Sequence, residues 1–187
     1  MAEAVGDGAV EAVLISVDKI KVDDEMAKKC IVPRCPNYGL SAGCPPHVAG
    51  PETFRQWQSE FKQALFIRIE VPMENLLSYE MHGIMKFLHQ VVAGIETEAR
   101  SMGYPEAKAF AGNSCKDLFC RDHIDCAVVD KKESCRNPDS ARPSMSGFGI
   151  DLAGLKKAVG WVEEGVSAEE RRRKVEMGAV YGLILID

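Results

Sequence analysis

Residues 178–186, GAVYGLILI, form the most apolar run of the chain and stop one residue short of Asp187. A strand with so little polar alternation needs cover on both faces, which places it in the centre of a sheet. Its apolar part, 179–186, is less than half of the ~18 residues a membrane-spanning helix requires. Working outward from it, three further strands are expected. Val13, Ile15 and Val17 fall on one side of residues 12–17. Ile67, Ile69 and Val71 alternate with Arg68 and Glu70 until Pro72, and 107–111 is a short run of small residues.

Helical periodicities lie between these strands. Phe54, Trp57, Phe61 and Leu65 follow Pro51, which suits a first turn, and predict an amphipathic helix over 51–63. Met81, Ile84, Met85, Leu88, Val91, Val92, Ile95 and Ala99 form one stripe, so a long helix is expected from about 78 to 101, stopped by Gly103. Shorter helices are expected at 151–159 and, charged and exposed, at 167–177. The resulting order predicts a single α/β or α+β domain over 1–187, with one layer of about four strands flanked by helices. Two cysteine-rich, metal-binding loops interrupt it, each after a strand, and are expected to meet at one end of the sheet.

The chain has 187 residues, of which 46% are hydrophobic, and a net charge of -5. This is enough apolar content for a packed core and excludes wholesale disorder. The pI near 5.5 speaks against a nucleic-acid binder that works by bulk charge. Residues 1–10 carry Glu3 and Asp7 and lack both a basic region and a long apolar run, so a cytoplasmic protein is expected, with no membrane contact. No Ser-His-Asp signature, paired-carboxylate spacing, phosphate-binding loop or nucleic-acid motif is present.

The seven cysteines are the informative residues. An odd number prevents complete pairing within the chain, and a reducing compartment favours metal ligation over disulfides. They divide into a trio, Cys30, Cys35 and Cys44, and a quartet, Cys115, Cys120, Cys126 and Cys135. Both groups open with C-x4-C and close with C-x8-C. Turn-forming residues surround the trio: Pro33, Pro36, Asn37, Gly39, Gly43, Pro45, Pro46 and Gly50.

Structural zinc sites usually contain a tight C-x2-4-C knuckle, and x4 is the upper edge of that range. Iron–sulfur clusters are bulkier and accept wider spacing, and the quartet supplies the four thiolates a [4Fe–4S] cluster takes. The trio admits three readings. It holds a second cluster, leaving one iron open to substrate or to His47; it joins the quartet around one site; or it binds zinc as Cys3His with His47. Arg136 and Arg142 flank the exit of the second loop, where they either tune a bound cofactor and recruit an anionic partner or form structural ion pairs. His82 and His89, two helical turns apart, read as partly buried surface residues, and His123 as a solvated loop residue. The basic run 171–174 reads as a solvated helix face, with a docking patch for an acidic redox partner as the alternative.

The motifs CPNYG (35–39), CPPH (44–47), CRNPDSARPSM (135–145), GID (149–151) and the terminal YGLILID resemble a cysteine-rich prokaryotic family of predicted metal-binding proteins, a domain of unknown function. The resemblance runs from about Cys30 to the C-terminus and implies metal binding without naming a reaction. Members of that family carry C-x2-C-x2-C in the second loop, whereas this chain has x4 and x5. The expectation is therefore an iron–sulfur protein with one or two [4Fe–4S] clusters on the seven cysteines, which transfers electrons to a redox partner protein. The alternatives are an enzyme built on a three-cysteine cluster with an open iron, and a zinc-stabilised interaction module.

Overall fold

The computed structural model describes residues 10–161 and 177–187. Strands β1 (Val10–Ser16), β2 (Gln63–Pro72), β3 (Lys108–Phe110) and β4 (Met177–Ile186) form one sheet in the order β1-β2-β4-β3, antiparallel throughout. The fold is α+β, and the terminal apolar strand sits inside the sheet. The helices are α1 (Asp24–Lys28), α2 (Gly50–Glu60), α3 (Met73–Leu76), α4 (Met81–Ser101), α5 (Cys115–Phe119) and α6 (Leu152–Ala158). Among the described residues no helix is long and apolar enough to cross a membrane.

The pairing of Phe66 with Leu183 and of Leu65 with Ile184 sets which side chains share a face. Phe66, Leu183 and Leu185 pack with Phe54 of α2, Phe110, Phe148 and Leu155 of α6 in one core. Ile67, Ile69, Val71 and Ile184 pack under Ile84, Met85, Leu88 and Val92 of α4 in the other. Both faces of β2 and β4 are thus covered, which is why the terminal run has no polar alternation.

Two sequence expectations need adjustment. The helix expected over 51–63 ends at Glu60, because Phe61 is already extended (φ -99°, ψ 147°). Leu65 therefore belongs to β2 and to the opposite core from Phe54. The short helices α1, α3 and α5 are one turn or little more, too short to leave a periodic stripe. The helix expected over 167–177 and the basic run 171–174 lie outside the described residues, apart from Met177, which begins β4.

The second adjustment concerns how the cysteine segments come together. Antiparallel pairing sends β1 and β3 in opposite directions, so the segments that follow them leave opposite ends of the sheet. They meet through a third stretch, 143–151. Ala111 donates to Pro143 O (3.0 Å) and accepts from Met145 N–H (2.9 Å), while Ser144 N–H donates to Gly43 O (2.9 Å). Further along, Asp23 N–H donates to Gly149 O and Asp151 N–H to Lys21 O, at 2.8 and 2.9 Å.

Helix α4 approaches β4 most closely at Gly182, where a Cβ would overlap Val92 and stand 3.3 Å from Leu88. Overpacking a filled core costs about 1–3 kcal/mol. Gly182→Ala should lower the urea midpoint accordingly, and adding Val92→Ala to the same chain should recover part of the loss. Equal midpoints for wild type and Gly182→Ala would contradict the close approach.

Candidate metal centre

The trio segment is a succession of tight turns. After α1, Cys30 O accepts Cys35 N–H (3.0 Å), Cys35 O accepts Tyr38 N–H (3.0 Å), and Gly39, at φ +81°, donates to Pro45 O (2.8 Å). Cys44 O then accepts His47 N–H at 2.9 Å. These bonds hold Cys30, Cys35 and Cys44 around one cavity, whose other lining residues include Asn37, Tyr38, Ser114 and Ser146.

The quartet segment is braced by its own side chains. Cys115 opens α5, and Lys116 Nζ in the same turn donates to the carbonyls of Cys120 (2.8 Å) and His123. Cys126 N–H donates to Asp130 Oδ2 (2.7 Å), while Asp130 N–H donates to Cys126 O (2.8 Å). Cys115, Cys120, Cys126 and Cys135 line a second cavity together with Lys116, Arg136 and Asn137. Asn137 donates to two of these sulfurs, from Nδ2 to Cys120 Sγ (3.2 Å) and from its backbone N–H to Cys135 Sγ (3.4 Å).

The two cavities share a wall. Ser114 faces the trio cavity and its neighbour Cys115 the quartet cavity; Ser41 faces the quartet cavity and Cys44 the trio cavity. A Cβ on Gly43 would stand 3.1 Å from Cys115 Sγ, so a larger residue there would have to push that side chain aside by a few tenths of an ångström. All seven thiols are free. Burial pushes the Cys115 thiol up to about 11, opposed by the Ser41 hydroxyl beside it, and burial likewise raises Cys30. A metal binding at these positions therefore displaces a proton from each thiol.

Two buried hydroxyls stand beside the thiols. Ser114 Oγ, on the trio side, is enclosed and has no hydrogen-bond partner among the described residues, whereas Ser41 Oγ, on the quartet side, has the Cys115 thiol beside it. A buried polar atom left unsatisfied costs about 1–3 kcal/mol, a cost that falls on Ser114. Among the described residues, no three His, Cys, Asp or Glu side chains converge on a single ion position; the thiols surround spaces instead.

The remaining sequence-selected residues fall in different places. His47 lines neither cavity, and its Nε2 lies 3.2 Å from Gly39 O. Arg136 lines the quartet cavity and binds Asp125 through Oδ1 (2.8 Å) and its carbonyl (3.0 Å). With Lys131 and Arg136 beside it, Asp125 is held down to about 2. Arg142 points away from the quartet cavity and into the protein, where it pairs with Glu96 of α4 at 2.7 Å, the two side chains only 10% and 6% exposed. His82 binds Asp117 of α5 at 2.9 Å, and His89, expected at the surface, is fully buried.

His89 joins α4 to both ends of the second cysteine segment. Its Nδ1 accepts Arg142 N–H (3.1 Å), so Nε2 carries the proton and donates to Gly112 O (2.9 Å). Asn137, Ser41 and Ser114 were not singled out by sequence. The one signal for Asn137 is its place inside CRNPDSARPSM; the serines have none, because their burial depends on distant segments.

The structure thus sets the seven thiols of an α+β fold around two cavities. The family model described as predicted metal-binding protein (DUF2284) matches residues 13–186, and the chain belongs to that family. Searches among curated proteins and solved structures found no match.

Burial lowers the pKa of His89, aided by the neighbouring Arg142 charge, so the neutral ring is the form the fold accepts. Its contribution is present above the ordinary value of about 6.5 and is lost as the pH falls through the depressed folded value. Urea midpoints should therefore fall between about pH 7 and pH 5. His89→Gln should be less stable at neutral pH and show a shallower fall; an unchanged pH slope would contradict this assignment.

Proposed function

We propose that this is a cytoplasmic iron–sulfur protein that binds two [4Fe–4S] clusters and passes electrons to a partner enzyme. The observation that carries the reading is the separation of the seven thiols between two cavities, four on one and three on the other. Cys115, Cys120, Cys126 and Cys135 would hold one cluster as a complete thiolate set, and Cys30, Cys35 and Cys44 the second. Thiols ranged around a space suit a polynuclear cluster better than a single tetrahedral ion.

The chain supplies what such a cofactor needs. Lys116 and Arg136 offset thiolate charge on the quartet side, and Asn137 directs two donors at ligand sulfurs. Donors to sulfur favour the more negative, reduced state.

Anaerobic purification with iron, acid-labile sulfide and zinc analysis tests the reading. Iron and sulfide in comparable amounts are expected, with Cys135→Ser and Cys44→Ser each losing about half the iron, as cubane stoichiometry requires. Stoichiometric zinc without sulfide would overturn it. Asn137→Ala, which removes a side-chain donor worth about 1 kcal/mol, should lower the midpoint potential of one cluster by on the order of 40 mV in redox titration. An unchanged potential would mean that the Asn137 donor does not act on the cofactor.

A further inference from the structure

We infer that Ser41 is a positioning residue of the quartet site: although it belongs to the first cysteine segment, its hydroxyl donates to the Cys115 sulfur when that sulfur holds metal. This rests on the cluster reading above, and it makes the quartet site the product of both segments.

The placement of Ser41 carries the inference. It lies three residues before Cys44, yet the two face different cavities. Cys44 lines the trio cavity, while Ser41 lines the quartet cavity together with Cys115. One turn holds both, since Ser41 O accepts Cys44 N–H at 3.1 Å. That turn is pinned to the strap by Ser144 N–H, which donates to Gly43 O. It passes directly over the second segment, where Cys115 Sγ is the first atom that a Cβ on Gly43 would meet.

Ser41 is fully buried, and among the described residues its Oγ has no nitrogen or oxygen partner. The Cys115 thiol stands beside it. A neutral thiol is a weak acceptor, so the hydroxyl gains little from it in the empty chain. Metal binding displaces the thiol proton and leaves an anionic sulfur, to which a hydrogen bond is about twice as strong. Ser41 therefore stabilises the metal-bound chain more than the empty one, and most of all the state with the most negative charge on sulfur. Asn137 serves Cys120 and Cys135 in this way from within the quartet segment. Ser41 does the same for Cys115 from outside it.

The test uses the full chain, reconstituted without oxygen, in a Cys44→Ser background that retains the quartet cluster alone. Ser41→Ala in that background should keep its iron, sulfide and melting temperature. At a fixed solution potential near the midpoint, its ratio of oxidised to reduced cluster should rise about five- to tenfold, the effect of one lost hydrogen bond. Pulsed electron–nuclear double resonance of the reduced cluster, in light and heavy water, should show an exchangeable proton that Ser41→Ala lacks. An unchanged ratio, a proton signal that survives Ser41→Ala, or a Ser41→Ala chain that no longer holds iron would each overturn the inference while leaving the cluster reading in place. A Cys44→Ser chain that keeps all of its iron, or none, would instead overturn the two-cluster reading itself.

Discussion

The backbone of 143–145 is the constraint on which the site depends. It is bonded to Ala111 on one side and, through Ser144, to Gly43 on the other. Without it, two segments that leave opposite ends of an antiparallel sheet have no reason to meet. With it, residue 43 lies so near the second segment that a Cβ there would stand 3.1 Å from Cys115 Sγ. Ser144 and Ser146, their hydroxyls 2.7 Å apart, then form part of the wall of the trio cavity.

This strap is itself anchored to the sheet through α4. Glu96 accepts from Ala109 N–H (2.8 Å) and pairs with Arg142 and Arg100, while His89 accepts from Arg142 N–H. Removing one partner of so buried an ion pair typically costs about 3–5 kcal/mol, because the other charge is left without compensation. The polar network thus fixes where the second cysteine segment begins and ends, and the apolar cores on both faces hold the sheet beneath it. Cofactor binding has only to order side chains whose backbone is already bonded.

The sheet was legible because its strands are covered on both faces and their apolar residues show it; the same holds for the long stripe of α4. The cysteine division was also legible, since trio and quartet line separate cavities. What sequence could not show was depth. His89 and Arg142 look like surface residues until α4 and the strap are placed against each other, and Ser41 and Ser114 look like ordinary loop residues. Leu65 misled because a helical phase continued by chance across the point where Phe61 turns extended. Each of these depends on contacts between residues far apart in the chain, to which local periodicity is blind.

The central claim is that the two cavities hold separate iron–sulfur clusters. An anomalous difference map collected at the iron edge from crystals grown without oxygen tests it most directly. Two distinct groups of iron are predicted, one among Cys115, Cys120, Cys126 and Cys135 and one among Cys30, Cys35 and Cys44. A single peak shared by both sets of thiols, or peaks that appear only at the zinc edge, would contradict it.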